Sequence, residues 1–324
     1  MNYLKLIRPI NLLLTAFAMY AVRWFIIIPL LKNCVIGEGH LSPYLNEFWF
    51  LILVVSVLCI NAAGYIINDF CDVETDKINK PNKVYISQTI SFSQASKFYY
   101  SINIIGIILG TLVAYQLRSL HLASLQIAAA GLLWLYAMQL KKRPIVGNIA
   151  VALLSAIALL MPIFFEPIVF YNSQPEFDVV VQIILLATLV FAAFAFLTQW
   201  IRELLKDLQD IEGDKATGCN TLPIWLSVNA AKFLITILIA VTMCCIAWFQ
   251  FHFYRQRMFY SLFNTWNIYV SILLQLPLLF VLLSLWKAEK PQQYKVLSTV
   301  MKVVMLAGIV SMFFIQQWFQ NYFN

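Results

Sequence analysis

Nine stretches of this sequence are each long and apolar enough to cross a hydrocarbon layer, at residues of about 10–31, 48–68, 97–117, 120–140, 146–165, 179–200, 223–250, 267–286 and 299–318. A bilayer core of roughly 30 Å needs about 20 consecutive apolar residues in a helix, and lipid offers no partner to an unpaired backbone group. The spacing therefore predicts an all-α, polytopic membrane protein whose nine helices form one bundle, a single domain over residues 1–324. Only 11% of the residues are charged and 62% are hydrophobic, against about 25% charged in soluble domains. The seventh run is the longest, so that helix is expected to tilt or to project into water. The apolar N-terminal run continues through "AVRWFIIIPLL" without a small-residue cleavage site, and is read as a retained helix.

The formal charge of +7 is explained by topology. With the N-terminus inside, Lys5, Arg8, Lys77, Lys80, Lys83, Lys97, Lys141, Lys142, Arg143, Arg202, Lys206, Lys215, Lys232, Lys287, Lys290, Lys295 and Lys302 share one side. Arg23, Lys32, Arg118, Arg255 and Arg257 face the other. This asymmetry predicts a cytoplasmic N-terminus, an outer C-terminus and residence in a cell or inner membrane of a prokaryote. No basic block with interleaved aromatics points to nucleic acid, and the six cysteines have no metal-ligand spacing with histidine.

Nine of the fifteen acidic residues sit in two connections on the inner side. The first, "NDFCDVETDKINKPNK", follows the second helix without Gly or Pro before Pro81. A continued helix would stack Asn68, Asp72 and Asp76 along one face, with Asp69 beside them. The second, "RELLKDLQDIEGDKATGCNTLP", spaces Glu203, Asp207, Asp210 and Asp214 by 4, 3 and 4, again one helical stripe, with Gly213 and Gly218 marking where regular helix gives way. Like charges at such spacing repel, so a cation or a basic partner is required. Oxygen ligands without His or Cys favour a hard ion, and Mg²⁺ in particular is held by one or two carboxylates together with water and phosphate. A diphosphate bridged by Mg²⁺ to both stripes is the simplest occupant. The four-helix offset between the two connections suggests an internal pseudo-repeat.

These motifs resemble those of the UbiA superfamily of intramembrane prenyltransferases. Asn68, Asp69, Asp72 and Asp76 match its N-D-x-x-D-x-x-x-D pattern, and Asp207, Asp210 and Asp214 match its second Asp-rich motif. "LIRPINLL", with Arg8, Pro9 and Asn11, and "LYAMQLKKRPIVGNIAVA", with Tyr136, Lys142, Gly147 and Asn148, agree with smaller signatures. The second motif with its preceding "RE" is most similar to the digeranylgeranylglyceryl phosphate synthase branch. After "DKIN" this chain reads "KPNKVYISQTIS", where Lys80 and Lys83 stand for the branch's arginines and its Ser-Gly is missing.

The resemblance implies nine helices around a lipid-open central cavity, and Mg²⁺-dependent transfer of a geranylgeranyl group from an isoprenyl diphosphate to a hydrophobic membrane acceptor, a prenylated glycerol phosphate. It implies two Mg²⁺ ions, one at Asn68, Asp72 and Asp76 and one at Asp207, Asp210 and Asp214, supported by Asp69 and Glu203. Lys77, Lys142, Lys206 and Arg202 are expected on the diphosphate, and Tyr136 beside the allylic cation. Arg8, Lys83 and Arg143 are expected on an anionic acceptor, with Asn11 lining the substrate site. An aromatic prenyltransferase of quinone biosynthesis is the alternative, and a cation transporter a remote one, since span interiors are nearly free of charge. A phosphatidyltransferase would carry a D-G-x-x-A-R type motif, which neither cluster contains. Prenyl chain length and oligomeric state are not set by any motif.

Overall fold

The structure is a computed structural model and describes residues 2–32, 35–36, 39–40, 42–169, 175–255 and 260–323. Among these residues nine helices are long and apolar enough to cross a membrane. They are α1 (Pro9–Lys32), α2 (Glu47–Cys71), α3 (Phe92–Gln116), α4 (Leu120–Met138), α5 (Val146–Phe164), α6 (Val179–Gln209), α7 (Val228–His252), α8 (Asn264–Leu285) and α9 (Pro291–Trp318). The chain is an all-α, multi-pass membrane protein. Its described strand pairing is a two-residue antiparallel pair, Val35–Ile36 with Gly39–His40, and an isolated bridge between Ile86 and Ile90.

Helix α6 packs against α5, α7 and α9, and α2 packs against α3 and α4. Buried Leu204, Leu205, Leu208, Ile235, Leu278 and Met301 join α6 to α7, α8 and α9. Ala18, Val22, Ile26, Leu159 and Ile184 close α1 on α5 and α6. Outward positions such as Ile10, Leu112, Leu186 and Leu283 stay exposed, as a lipid-facing surface requires.

The longest helix is α6, not α7. Its 31 residues extend about 47 Å at 1.5 Å per residue, well past a hydrocarbon core of roughly 30 Å, so this helix must tilt or project into water. The seventh helix starts later than expected, at Val228, because Leu222–Trp225 forms a separate turn.

Neither acidic connection continues its helix as one straight stripe. Helix α2 stops at Cys71, Asp72 adopts φ −94° and ψ 4°, and a new helix runs Val73–Asn79. Helix α6 stops at Gln209, Asp210 adopts φ −102° and ψ 11°, and a new helix runs Ile211–Ala216. The same break thus recurs four helices later, at the middle carboxylate of each motif. Gly213 lies within the second short helix, and Gly218, at φ +72°, follows it in the left-handed conformation that glycine tolerates. The two short helices pack against each other.

Candidate active site

Asn79 fastens the two acidic connections together. Its Nδ2 donates to the Asp210 carbonyl at 3.0 Å, and its Oδ1 accepts the Gly213 N–H at 2.9 Å. A methyl group at Gly213 would collide with the Asn79 amide, so glycine lets the bridge close. The hydroxyls of Thr75 and Thr217, 2.9 Å apart, add a second link. Asn79→Ala removes two hydrogen bonds worth roughly 2 kcal/mol together. It should raise the Mg²⁺ concentration for half-maximal turnover by up to about thirtyfold, as measured by a metal titration. An unchanged titration would show that the bridge does not hold the site.

The carboxylates crowd around lysines. Lys141 pairs with Asp72 Oδ2, to which Asn68 Nδ2 also donates at 2.7 Å. Lys80 pairs with Asp210 Oδ2 at 2.5 Å and lies 3.8 Å from Asp76. Asp207 Oδ2 accepts from Asn148 Nδ2 at 2.9 Å. Burial, followed by an opposing effect of Lys80 and then repulsion from Asp72, leaves the Asp76 carboxyl above its usual range. Burial also pushes Asp214 up to about 6, with Lys141 opposing and Asp210 and Asp72 adding repulsion. Burial disfavours the Lys141 ammonium, but Asp72 and then Tyr136 outweigh it and hold the amine protonated above its ordinary range.

Among the described residues no three acidic, His or Cys side chains converge as a ready metal shell. Mg²⁺ needs no such shell, because it keeps its waters and takes one or two carboxylates plus phosphate oxygens. Asp210 Oδ1 is buried without a hydrogen-bond partner, an unspent acceptor between the two loops. Oxygen donors, crowded carboxylates and this orphaned atom suit a hard divalent cation.

Below the acidic mouth lies a cavity of about 200 Å³. Its upper wall carries Arg8, Asn11, Asn68, Tyr136, Arg202 and Lys206, and its depth is apolar, with Leu14, Leu159, Phe191, Phe194 and Met312. Pro9 excludes the right-handed helical conformation at Arg8, which sits at φ 51°. Arg8 pairs with Asp69 and lies 5.0 Å from the centre of the Tyr65 ring. Burial works against its charge, yet Asp69 and Tyr65 prevail and raise its pKa.

The UbiA prenyltransferase family's pattern matches residues 12–308. The chain belongs to the UbiA prenyltransferase family. It is 29% identical over 315 residues to the digeranylgeranylglyceryl phosphate synthase of Methanosphaera stadtmanae, covering 95% of this chain and 97% of that protein. The synthase of the same name from Sulfurisphaera tokodaii is 32% identical over 190 residues, a match covering 59% of this chain and 61% of that protein. A UbiA homolog from Archaeoglobus fulgidus, solved with GPP and Mg²⁺ bound, has a TM-score of 0.60 at 15% identity, covering 96% of this chain and 99% of that one. That likeness is one of fold.

The UbiA motifs are brought together as far as the carboxylates and Tyr136 are concerned, but the basic residues are not all where the sequence suggested. Lys142 and Arg143 are exposed, and the Lys142 carbonyl accepts the Asn220 N–H at 3.1 Å. Lys77 is exposed and paired with Glu74 at 2.7 Å. The side chain of Lys83 lies outside the described residues. Lys80, read as the counterpart of a branch arginine, and Lys141 and Lys302, read only as topology markers, enter the site instead. A charged residue inside an apolar helix is a functional signal by default, and that signal was available for Lys302.

Proposed function

We propose that this chain transfers a geranylgeranyl group from its allylic diphosphate to the hydroxyl of a prenylated glycerol phosphate, in a Mg²⁺-dependent reaction. The observation that carries this reading is the pair of acidic loops bridged by Asn79 over an apolar-bottomed cavity. The resemblance to synthases of that name supports the acceptor. The Mg²⁺ and GPP bound by the Archaeoglobus fulgidus homolog support the metal and the diphosphate. Asn68, Asp72 and Asp76 hold one ion and Asp207, Asp210 and Asp214 the other, with Asp69 fixing Arg8. Bound Mg²⁺ supplies Lewis-acid neutralisation of the diphosphate's charge.

Lys80 and Lys141, freed from their carboxylates, move their hydrogen bonds to the diphosphate oxygens and stabilise the charge that develops there. The bond from the allylic carbon to the diphosphate oxygen breaks, and its electron pair leaves with the diphosphate. Tyr136 faces the resulting cation with its ring, and the apolar walls exclude water. The acceptor's hydroxyl oxygen then bonds to the allylic carbon, and its proton is taken up by the departing diphosphate. The positive-inside pattern supports a cytoplasmic N-terminus and acidic loops.

The test is turnover of purified protein with Mg²⁺ and labelled geranylgeranyl diphosphate, offered geranylgeranylglyceryl phosphate and 4-hydroxybenzoate separately. Product with the glycerol lipid alone is expected. Product with the aromatic acid alone would move the chain to quinone-type chemistry, and product with neither would overturn the reading.

A further inference from the structure

Above the apolar part of the cavity, two cations and a side-chain amide share one carboxylate. Glu203 accepts from Lys206 at 2.7 Å, from Arg202 at 3.3 Å and from Gln199 at 2.7 Å. Arg202 Nε is buried without a hydrogen-bond partner. Lys302, from α9, reaches into the same cavity and donates to Asn11 Oδ1 only at 3.4 Å. The remaining cation of the cavity wall, Arg8, is committed to Asp69. The wall thus carries excess positive charge and an unspent buried donor, costly features unless an anion completes them.

The metal-held diphosphate does not meet this need. Of the residues assigned to the metals only Asn68, on the upper wall, lines the cavity, whereas Asp72, Asp76, Asp207, Asp210 and Asp214 do not and Arg202, Lys206 and Lys302 do. Arg202 precedes Asp210 by eight residues, about 12 Å of helix rise. A diphosphate anchored at Asp210 and Asp214 is therefore about two helical turns from Arg202, and a second anion completes the wall.

We propose that Arg202, Lys206 and Lys302 form a separate subsite for the phosphate monoester of the acceptor, and so select a phosphorylated lipid over its neutral alcohol. This rests on the prenyl-transfer reading above and names what sets its acceptor. Arg and Lys donors suit a doubly charged phosphate. The apolar residues below them, Leu159, Phe191, Phe194 and Met312, suit the prenyl chain attached to it. Glu203 orients the Lys206 and Arg202 donors through its two carboxylate oxygens.

The experiment compares the wild-type protein with Lys302→Met and Lys302→Arg. Direct binding is measured for geranylgeranylglyceryl phosphate, for the same lipid without its phosphate, for inorganic phosphate and for geranylgeranyl diphosphate with Mg²⁺. Turnover is measured in parallel, and a thermal melt confirms that each variant folds. The wild type should bind the phosphorylated lipid roughly ten- to a hundredfold more tightly than the alcohol, the range of a charged hydrogen bond. Lys302→Met should lose most of that preference, Lys302→Arg should recover it, and both should bind the diphosphate within about twofold of wild type.

Inorganic phosphate that competes with the lipid only in the wild type and Lys302→Arg supports the subsite. Equal binding of lipid phosphate and alcohol by the wild type would overturn it, as would a Lys302→Met protein that still discriminates or one that loses diphosphate affinity instead. Lipid-phosphate selectivity without any prenyl transfer would leave the subsite standing and bring down the transferase reading. Transfer that ignores Lys302 would do the reverse.

Discussion

Asp210→Asn is expected to lower turnover by about 10³ or more while the protein melts within a few degrees of wild type. The carboxylate has one oxygen on Lys80 and one buried without a partner, so its charge serves something other than the fold. The Lys80 pair is partly exposed, with the lysine side chain 30% accessible, and such pairs contribute about 1 kcal/mol at most. The structural role of this residue runs through its backbone carbonyl, which accepts from Asn79 and survives the substitution. Activity and stability should therefore separate, as read by steady-state turnover and a thermal melt on the same preparation. Residual activity within tenfold of wild type would remove Asp210 from the metal assignment. A collapse of stability would mean that its charge is structural.

The break at Asp210 shows what the sequence could and could not disclose. Span length, the spacing of the carboxylates and their offset by four helices are local or periodic properties, and they anticipated the nine apolar helices found among the described residues and the two acidic loops after α2 and α6. The break itself was invisible because neither Asp72 nor Asp210 has a Gly or Pro beside it. The interruption follows from the short helices packing on each other, a tertiary effect that overrides helical periodicity. Lys141 was missed for a related reason. It lies in the 3₁₀ turn Leu140–Lys142, whose residues turn by a different angle from an α-helix. Choosing between adjacent lysines required that geometry. Gly147 shows why the turn sits where it does: a methyl group there would lie 2.8 Å from the Leu140 carbonyl oxygen. The family signature around Gly147 and Asn148 thus holds the turn that aims Lys141, as well as the amide that holds Asp207.

Lys141→Met is expected to cut turnover by roughly 10²–10³, the usual cost of one donor at a developing negative charge, and to tighten metal binding in the absence of substrate. Both effects come from its pairing with Asp72. In the resting site the ammonium occupies an oxygen that a metal needs, so its removal frees Asp72 for a cation. Asn68 remains to orient the carboxylate through its 2.7 Å hydrogen bond. During reaction the same ammonium, which interacts electrostatically with Tyr136, is placed to follow the diphosphate as it leaves. Lys141→Arg keeps the charge but replaces a compact ammonium with a planar fork, and should restore only part of the rate. Mn²⁺ titration by electron paramagnetic resonance reads the first effect and single-turnover kinetics the second. Weaker Mn²⁺ binding in Lys141→Met would mean that the lysine helps to assemble the metal site and does not compete with it. A full rate in that variant would remove it from the diphosphate's path. The opposed signs matter because a merely destabilised site would lose both metal affinity and rate, whereas a lysine that exchanges Asp72 for the leaving group must raise one and lower the other.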